Sequence, residues 1–150
     1  MQILRPKEDT IVGGYSDQAA GTTNIYLSID ETVASDTDYV RSRNPPINDP
    51  YVVKLTPAEA TAVLTDHIVR TRVKGEPGSQ WGIDYFLELR EEYVDENTRG
   101  ELIKQWTHAL IPSTFTTYED TLSEIEAGAI ESPTLLFLRF VFNIAQEPLP

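Results

Sequence analysis

The sequence predicts an all-β fold, a jelly-roll-like antiparallel β-sandwich with one or two short helical insertions. Three observations predict it. Residues 134–144 (TLLFLRFVFNI) alternate with a period of two: Leu136, Leu138, Phe140, Phe142 and Ile144 form a wholly apolar register, and Leu135, Phe137, Arg139, Val141 and Asn143 a mixed one. That is the pattern of a strand with one dry face and one half-wet face inside a packed sheet. Such a strand lies so late in the chain that its partners must come from far earlier, which favours a sandwich over a series of local hairpins. Turn-forming stretches also recur at short intervals and divide the chain into roughly seven or eight strand-length segments.

Residues 1–23 show little periodicity and are expected to be an extended N-terminal arm. Ile3, Leu4, Ile11 and Val12 are its apolar anchors and candidate partner-binding residues, and Gly13-Gly14 permits a sharp bend. The arm either folds over the sandwich or reaches a neighbour. Residues 24–29 (NIYLSI) alternate Ile25, Leu27 and Ile29 against Tyr26 and Ser28, predicting the first strand. An acidic stretch follows at 30–38, then a loop at 42–50, where three prolines exclude helix and central strand. Residues 51–55 (YVVKL) return to strand. Residues 56–65 (TPAEATAVLT) predict a short helix, with Thr56 as cap, Pro57 at the first helical position and Glu59 three residues after the cap.

Residues 67–74 (HIVRTRVK) are a strand with Arg70, Arg72 and Lys74 on one face, and 75–80 (GEPGSQ) a turn. Residues 81–91 form the longest strand, with Trp81, Ile83, Tyr85, Leu87 and Leu89 sharing a side. After a break at 95–100, residues 101–110 (ELIKQWTHAL) alternate again, with Leu102, Trp106 and His108 in register with Lys104. Residues 115–122 (FTTYEDTL) are a Thr-rich strand. Residues 123–131 form a short helical turn in which Ser123 and Glu126 make a capping box. Pro133 then marks the entry to the last strand, and residues 145–150 are expected to be a tail.

With 150 residues the chain fits one domain and buries roughly two-thirds of its extended surface on folding. It has no cysteine, hence neither disulfides nor thiolate metal sites. A net charge of -12 repels phosphate backbones and anionic lipid, so no nucleic-acid or membrane partner is expected. No apolar run approaches the roughly 20 residues of a membrane span. Residues 1–6 lack the pattern of a secretory signal, which points to synthesis in a cytoplasm.

Asp30, Glu31, Asp36 and Asp38 supply oxygen ligands without the spacing of a calcium loop, and read as a solvated acidic segment. His67 and His108 have no second ligand at helical spacing. No nucleophile elbow occurs, and 75–80 lacks the Lys-Ser/Thr ending of a phosphate cradle. No carboxylate pair stands out for glycoside chemistry. No catalytic residue, metal or cofactor is therefore expected. Arg70, Arg72 and Lys74 form a basic ladder that either pairs across strands with Asp84, Glu88 or Glu119 or docks an acidic partner. Trp81, Tyr85 and Trp106 occupy apolar registers suited to a core. Tyr93 and Trp106 are retained as candidates for a sugar-stacking platform.

The order MQILRP, GGY, GTTNIY, IDE, SDTDYV, YVVKL, HIVRTRVK, QWTH, TTYEDTL and LRF resembles small virion structural proteins of tailed bacteriophages with β-sandwich or jelly-roll folds. The resemblance implies a capsid decoration (cement) protein that binds the outer head surface. Its partners would be the major capsid protein and other virion proteins, its assembly a trimer and its place the virion. The alternative it implies is a tail-associated or carbohydrate-binding accessory protein for attachment to the host surface.

Overall fold

A computed structural model describes residues 3–29, 33, 35–43, 45–58, 65–75 and 81–148. The chain is an all-β sandwich. Five strands build the main sheet: β1 (Pro6–Ile11), β4 (Asp49–Leu55), β6 (Trp81–Glu91), β7 (Glu101–His108) and β9 (Leu136–Pro148). Their order is β1-β4-β9-β6-β7, and every neighbouring pair is antiparallel. The late alternating run is therefore the middle strand. Phe140 of β9 lies between Tyr51 and Leu87, and Arg139 between Val52 and Glu88.

Two ribbons, β2 (Ser16–Asp17) with β3 (Val40–Arg41) and β5 (Ile68–Val73) with β8 (Thr116–Thr121), complete the strands among the described residues. They cover one face of the sheet. Tyr51, Val53, Tyr85, Leu87, Leu89, Leu136 and Leu138 are buried there, with Val69, Val73, Tyr118 and Leu122 of the β5–β8 side packed against them. Stacked rings carry the contact through the core: Tyr85 lies 4.8 Å from Phe142, and His108 lies 4.0 Å from Tyr118. The Tyr85 hydroxyl and the Thr71 hydroxyl, 3.1 Å apart, join sheet to ribbon.

Several expectations need correction. Residues 24–29 are not a strand: Ile25–Ser28 is a 3-10 helix that starts after Asn24 at φ 52°. The Asp9 carboxylate accepts from the Ile25 and Tyr26 N–H groups at 2.8 and 3.0 Å, so a distant side chain supplies the acceptor that a strand ladder would have supplied. The leader is not an unattached arm over this stretch, because Pro6–Ile11 is β1, zipped onto β4 with two register irregularities. Leu4 and Val12 pack against the core and Ile11 against the opposite face, leaving Ile3, at 57% exposed, as the outward member of the four. The C-terminal tail is strand as far as Pro148, which pairs with Trp81.

In β7 a bulge changes the register. Leu89 faces Lys104 but Arg90 faces Leu102, which leaves Ile103 as the extra residue. Ile103 consequently turns inward at 8% exposed while Leu102, expected beside Trp106, faces out at 43%. The capped turn at 123–131 is present as α1 (Glu124–Gly128). Its Ser123 hydroxyl accepts from Glu126 N–H, and the Glu126 carboxylate accepts from Ser123 N–H. The helix expected at 56–65 falls largely on residues 59–64, outside the described residues.

Leu87 is fully buried on β6, so Leu87→Ala is expected to lower the unfolding free energy by about 2–5 kcal/mol. Ile125→Ala, at a position 87% exposed, should change it by less than about 0.5 kcal/mol. Urea unfolding of the two variants checks both.

Candidate functional site

The other face of the main sheet lies away from the ribbons, and the mixed register of β9 points there. Antiparallel pairing assembles this face in rows. Val52, Arg139, Glu88 and Gln105 lie side by side, as do Lys54, Phe137, Arg90 and Leu102. The segment after β6 folds back over them through a short turn closed by the Asp95–Thr98 bridge, in which the Asp95 carboxylate accepts from Asn97 and Thr98 N–H. Gly100 makes the return possible. Its φ is +69°, and a Cβ there would stand 2.0 Å from the Glu91 carbonyl oxygen. Tyr93 is thereby laid against Phe137, 5.8 Å between ring centres, and Glu96 is brought over Arg139.

Arg139 is the hub. Its Nη1 donates to Glu88 at 2.5 Å, and its Nε and Nη2 donate to the two oxygens of Glu96 at 3.0 and 2.6 Å. Arg90 donates to the remaining oxygen of Glu88 at 2.7 Å, Arg99 lies 3.2 Å from Glu96, and the Tyr93 hydroxyl donates to Glu96 at 2.5 Å. Glu88 is only 5% exposed and Arg139 9%. Groups so buried stay charged only when paired on several sides, and the planar guanidinium fork meets two carboxylates at once. Burial alone would push the Glu96 carboxyl upward. Hydrogen bonds from Arg139 and Tyr93, with the charges of Arg139 and Arg99, outweigh it and hold the group below its ordinary value of 4.5. Burial likewise opposes the charge on Arg139, and the bonds to Glu96 and Glu88 more than restore it.

Beside this hub lies an open hollow of about 430 Å³. Phe86 and Val141, opposed on neighbouring strands, line it together with Glu88, Glu96, Arg99 and Arg139, while the amides of Asn48 and Gln105 complete the lining. Its guanidiniums and carboxylates balance in number.

The residues singled out from sequence lie elsewhere or in other roles. Tyr93 is 5% exposed, wedged under the returning segment, and so offers no stacking face. Trp106 belongs to the ribbon-covered side and donates its indole N–H to the Thr121 carbonyl at 3.3 Å. Arg70 pairs with Glu119 at 3.1 Å, one of the cross-strand partners foreseen for it. Arg72 grips Asp36, holding that carboxyl below its ordinary range, and Lys74 sits over the Phe115 ring. Asp30 and Glu31 lie outside the described residues, among which no group of acids and histidines suited to a metal occurs. His108 Nε2 lies 2.9 and 3.1 Å from the two oxygens of Asp120, bridging β7 to β8. Sequence reasoning missed Arg139, Glu88 and Glu96 as a unit. Its one signal was an arginine in the half-wet register of the strongest strand.

Arg139→Met should cost about 3–5 kcal/mol in urea unfolding, because it strands two carboxylates in a desolvated site. The folded-state value of Glu96 lies below the unfolded one, so its carboxylate stabilises the fold at neutral pH. That contribution is lost as pH falls below 4.5 and through the folded value. Glu96→Gln should therefore flatten the acid limb of a stability-against-pH curve. No protein family, curated protein or solved structure matches this chain.

Proposed function

We propose that the chain is a structural, partner-holding subunit of a tailed-bacteriophage particle. In this reading it is a jelly-roll-like decoration protein that binds the outer head surface through the major capsid protein, as a trimer. The observation that carries the proposal is the placement of the leader. β1 is an outer strand whose register is broken at Pro6/Glu8 and Asp9/Ile11, and just before it Ile3 stands 57% exposed at the rim of a stiff sheet. An apolar side chain at a sheet rim gains about 25 cal/mol per Å² when a neighbour covers it, less the cost of ordering the contact. Repetition over many copies multiplies such modest contacts through avidity. The Arg70 and Glu119 pair on the β5–β8 ribbon is a second exposed polar patch, separate from the leader. A tail-associated subunit is the alternative position in the same particle.

Quantitative mass spectrometry of purified particles from the virus that encodes the chain tests the proposal. Many copies per particle are expected, and absence from the particles contradicts it. Ile3→Asp should leave thermal unfolding unchanged and reduce particle association severalfold, whereas full retention would remove the leader from the contact.

A further inference from the structure

The outer-face hollow is richer in polar groups than holding strands together requires. A buried ion pair can often be replaced by well-packed apolar residues with no loss of stability. Yet Glu88 and Arg139, 5% and 9% exposed and bonded to one another, border an open space. Both are held rigid before any ligand arrives, since Arg139 is fixed by Glu88 on one side and Glu96 on the other. At the rim, the exposed side chains of Asn48 and Gln105 have no hydrogen-bond partner among the described residues. Each offers a donor and an acceptor. Phe86, half-buried and directly opposed to the buried Val141, is the apolar part of the lining open to a ligand.

We infer that this hollow is a binding site for a neutral polyhydroxylated ligand, a sugar or short uncharged oligosaccharide. The lining charges of Glu88, Glu96, Arg99 and Arg139 cancel, so an ionic ligand gains no net attraction and would have to displace an existing pair. A hydroxyl needs no such exchange. It accepts from a guanidinium N–H that still has a free direction and donates to a carboxylate lone pair, and such charge-assisted bonds are the stronger kind. The amides then fix orientation, and the C–H face of a ring rests on the half-buried Phe86. About 430 Å³ falls within the span of small-molecule sites. The preformed clamp spares the ligand the cost of ordering the protein. The site is independent of the particle assignment, and it is not the Tyr93 and Trp106 platform.

The test is a ¹H–¹⁵N NMR titration of the intact chain with glucose, galactose, rhamnose, N-acetylglucosamine, maltose and cellobiose, with galacturonate and sialic acid as charged probes. At least one neutral sugar should bind saturably and shift the Asn48 and Gln105 side-chain amide signals. The double variant Asn48→Gly/Gln105→Ala, whose positions are exposed and make no side-chain bonds among the described residues, should keep its thermal midpoint, because glycine adopts the φ of 50° found at residue 48, and should bind at least about tenfold more weakly. Arg70→Ala should bind as the parent does. The inference is overturned if no neutral probe binds, if only the acids bind, or if the double variant binds undiminished. Particle association without sugar binding would defeat this inference alone.

Discussion

The fold depends on one constraint: β9 is a central strand that must serve two unlike environments, and a period of two lets it do so. Its even-numbered side chains enter a dry layer, while Arg139 enters the opposite face, where a guanidinium must be fully paired to remain buried. The pairing comes from two separate pieces of chain, Glu88 on β6 and Glu96 on the segment that returns after it. Strand register and loop closure are thus coupled. The turn that delivers Glu96 in turn requires Gly100, whose backbone leaves no room for a side chain.

The dry face is tied by different means. Tyr15 stacks on Tyr51, which meets Phe140 at a tilt over β4 and β9, and Phe142, Tyr85, His108 and Tyr118 continue the contacts towards the ribbon. Polar atoms within this layer are matched locally: Tyr51 donates to Asp9, and His108 lies against Asp120. Among the described residues no buried side-chain nitrogen or oxygen is left without a partner. The same accounting explains the buried Glu91, whose carboxylate accepts from the Glu131 and Ser132 N–H groups and pins the entry to β9.

Where the sequence was legible, a local pattern sufficed. Alternation placed β4, β5, β6, β8 and β9, and a four-residue motif placed the cap of α1. Where it misled, a distant group decided. The apolar alternation of residues 24–29 is overridden by the Asp9 carboxylate, and the inward turn of Ile103 follows from a bulge that only pairing with β6 reveals. β1 carries Lys7, Glu8 and Asp9 in succession, so no apolar period announces it, and its pairing with β4 is visible only in three dimensions. Tyr93 looked available because it sits in a polar segment, yet that segment lies on the sheet. The clamp was least legible, since a charge in a half-wet register gives no hint of its partners 43 and 51 residues away.

The most direct measurement is hydrogen exchange at arginine side chains, followed by ¹⁵N NMR at the guanidinium Nε–H groups near neutral pH. Arg139 should give a protected Nε–H signal that exchanges far more slowly than that of the solvent-exposed Arg70, and the protection should disappear in Glu96→Gln. An Arg139 signal exchanging as fast as that of Arg70 would contradict the account, because the middle strand would then lack the rigid ionic face on which the outer surface is built.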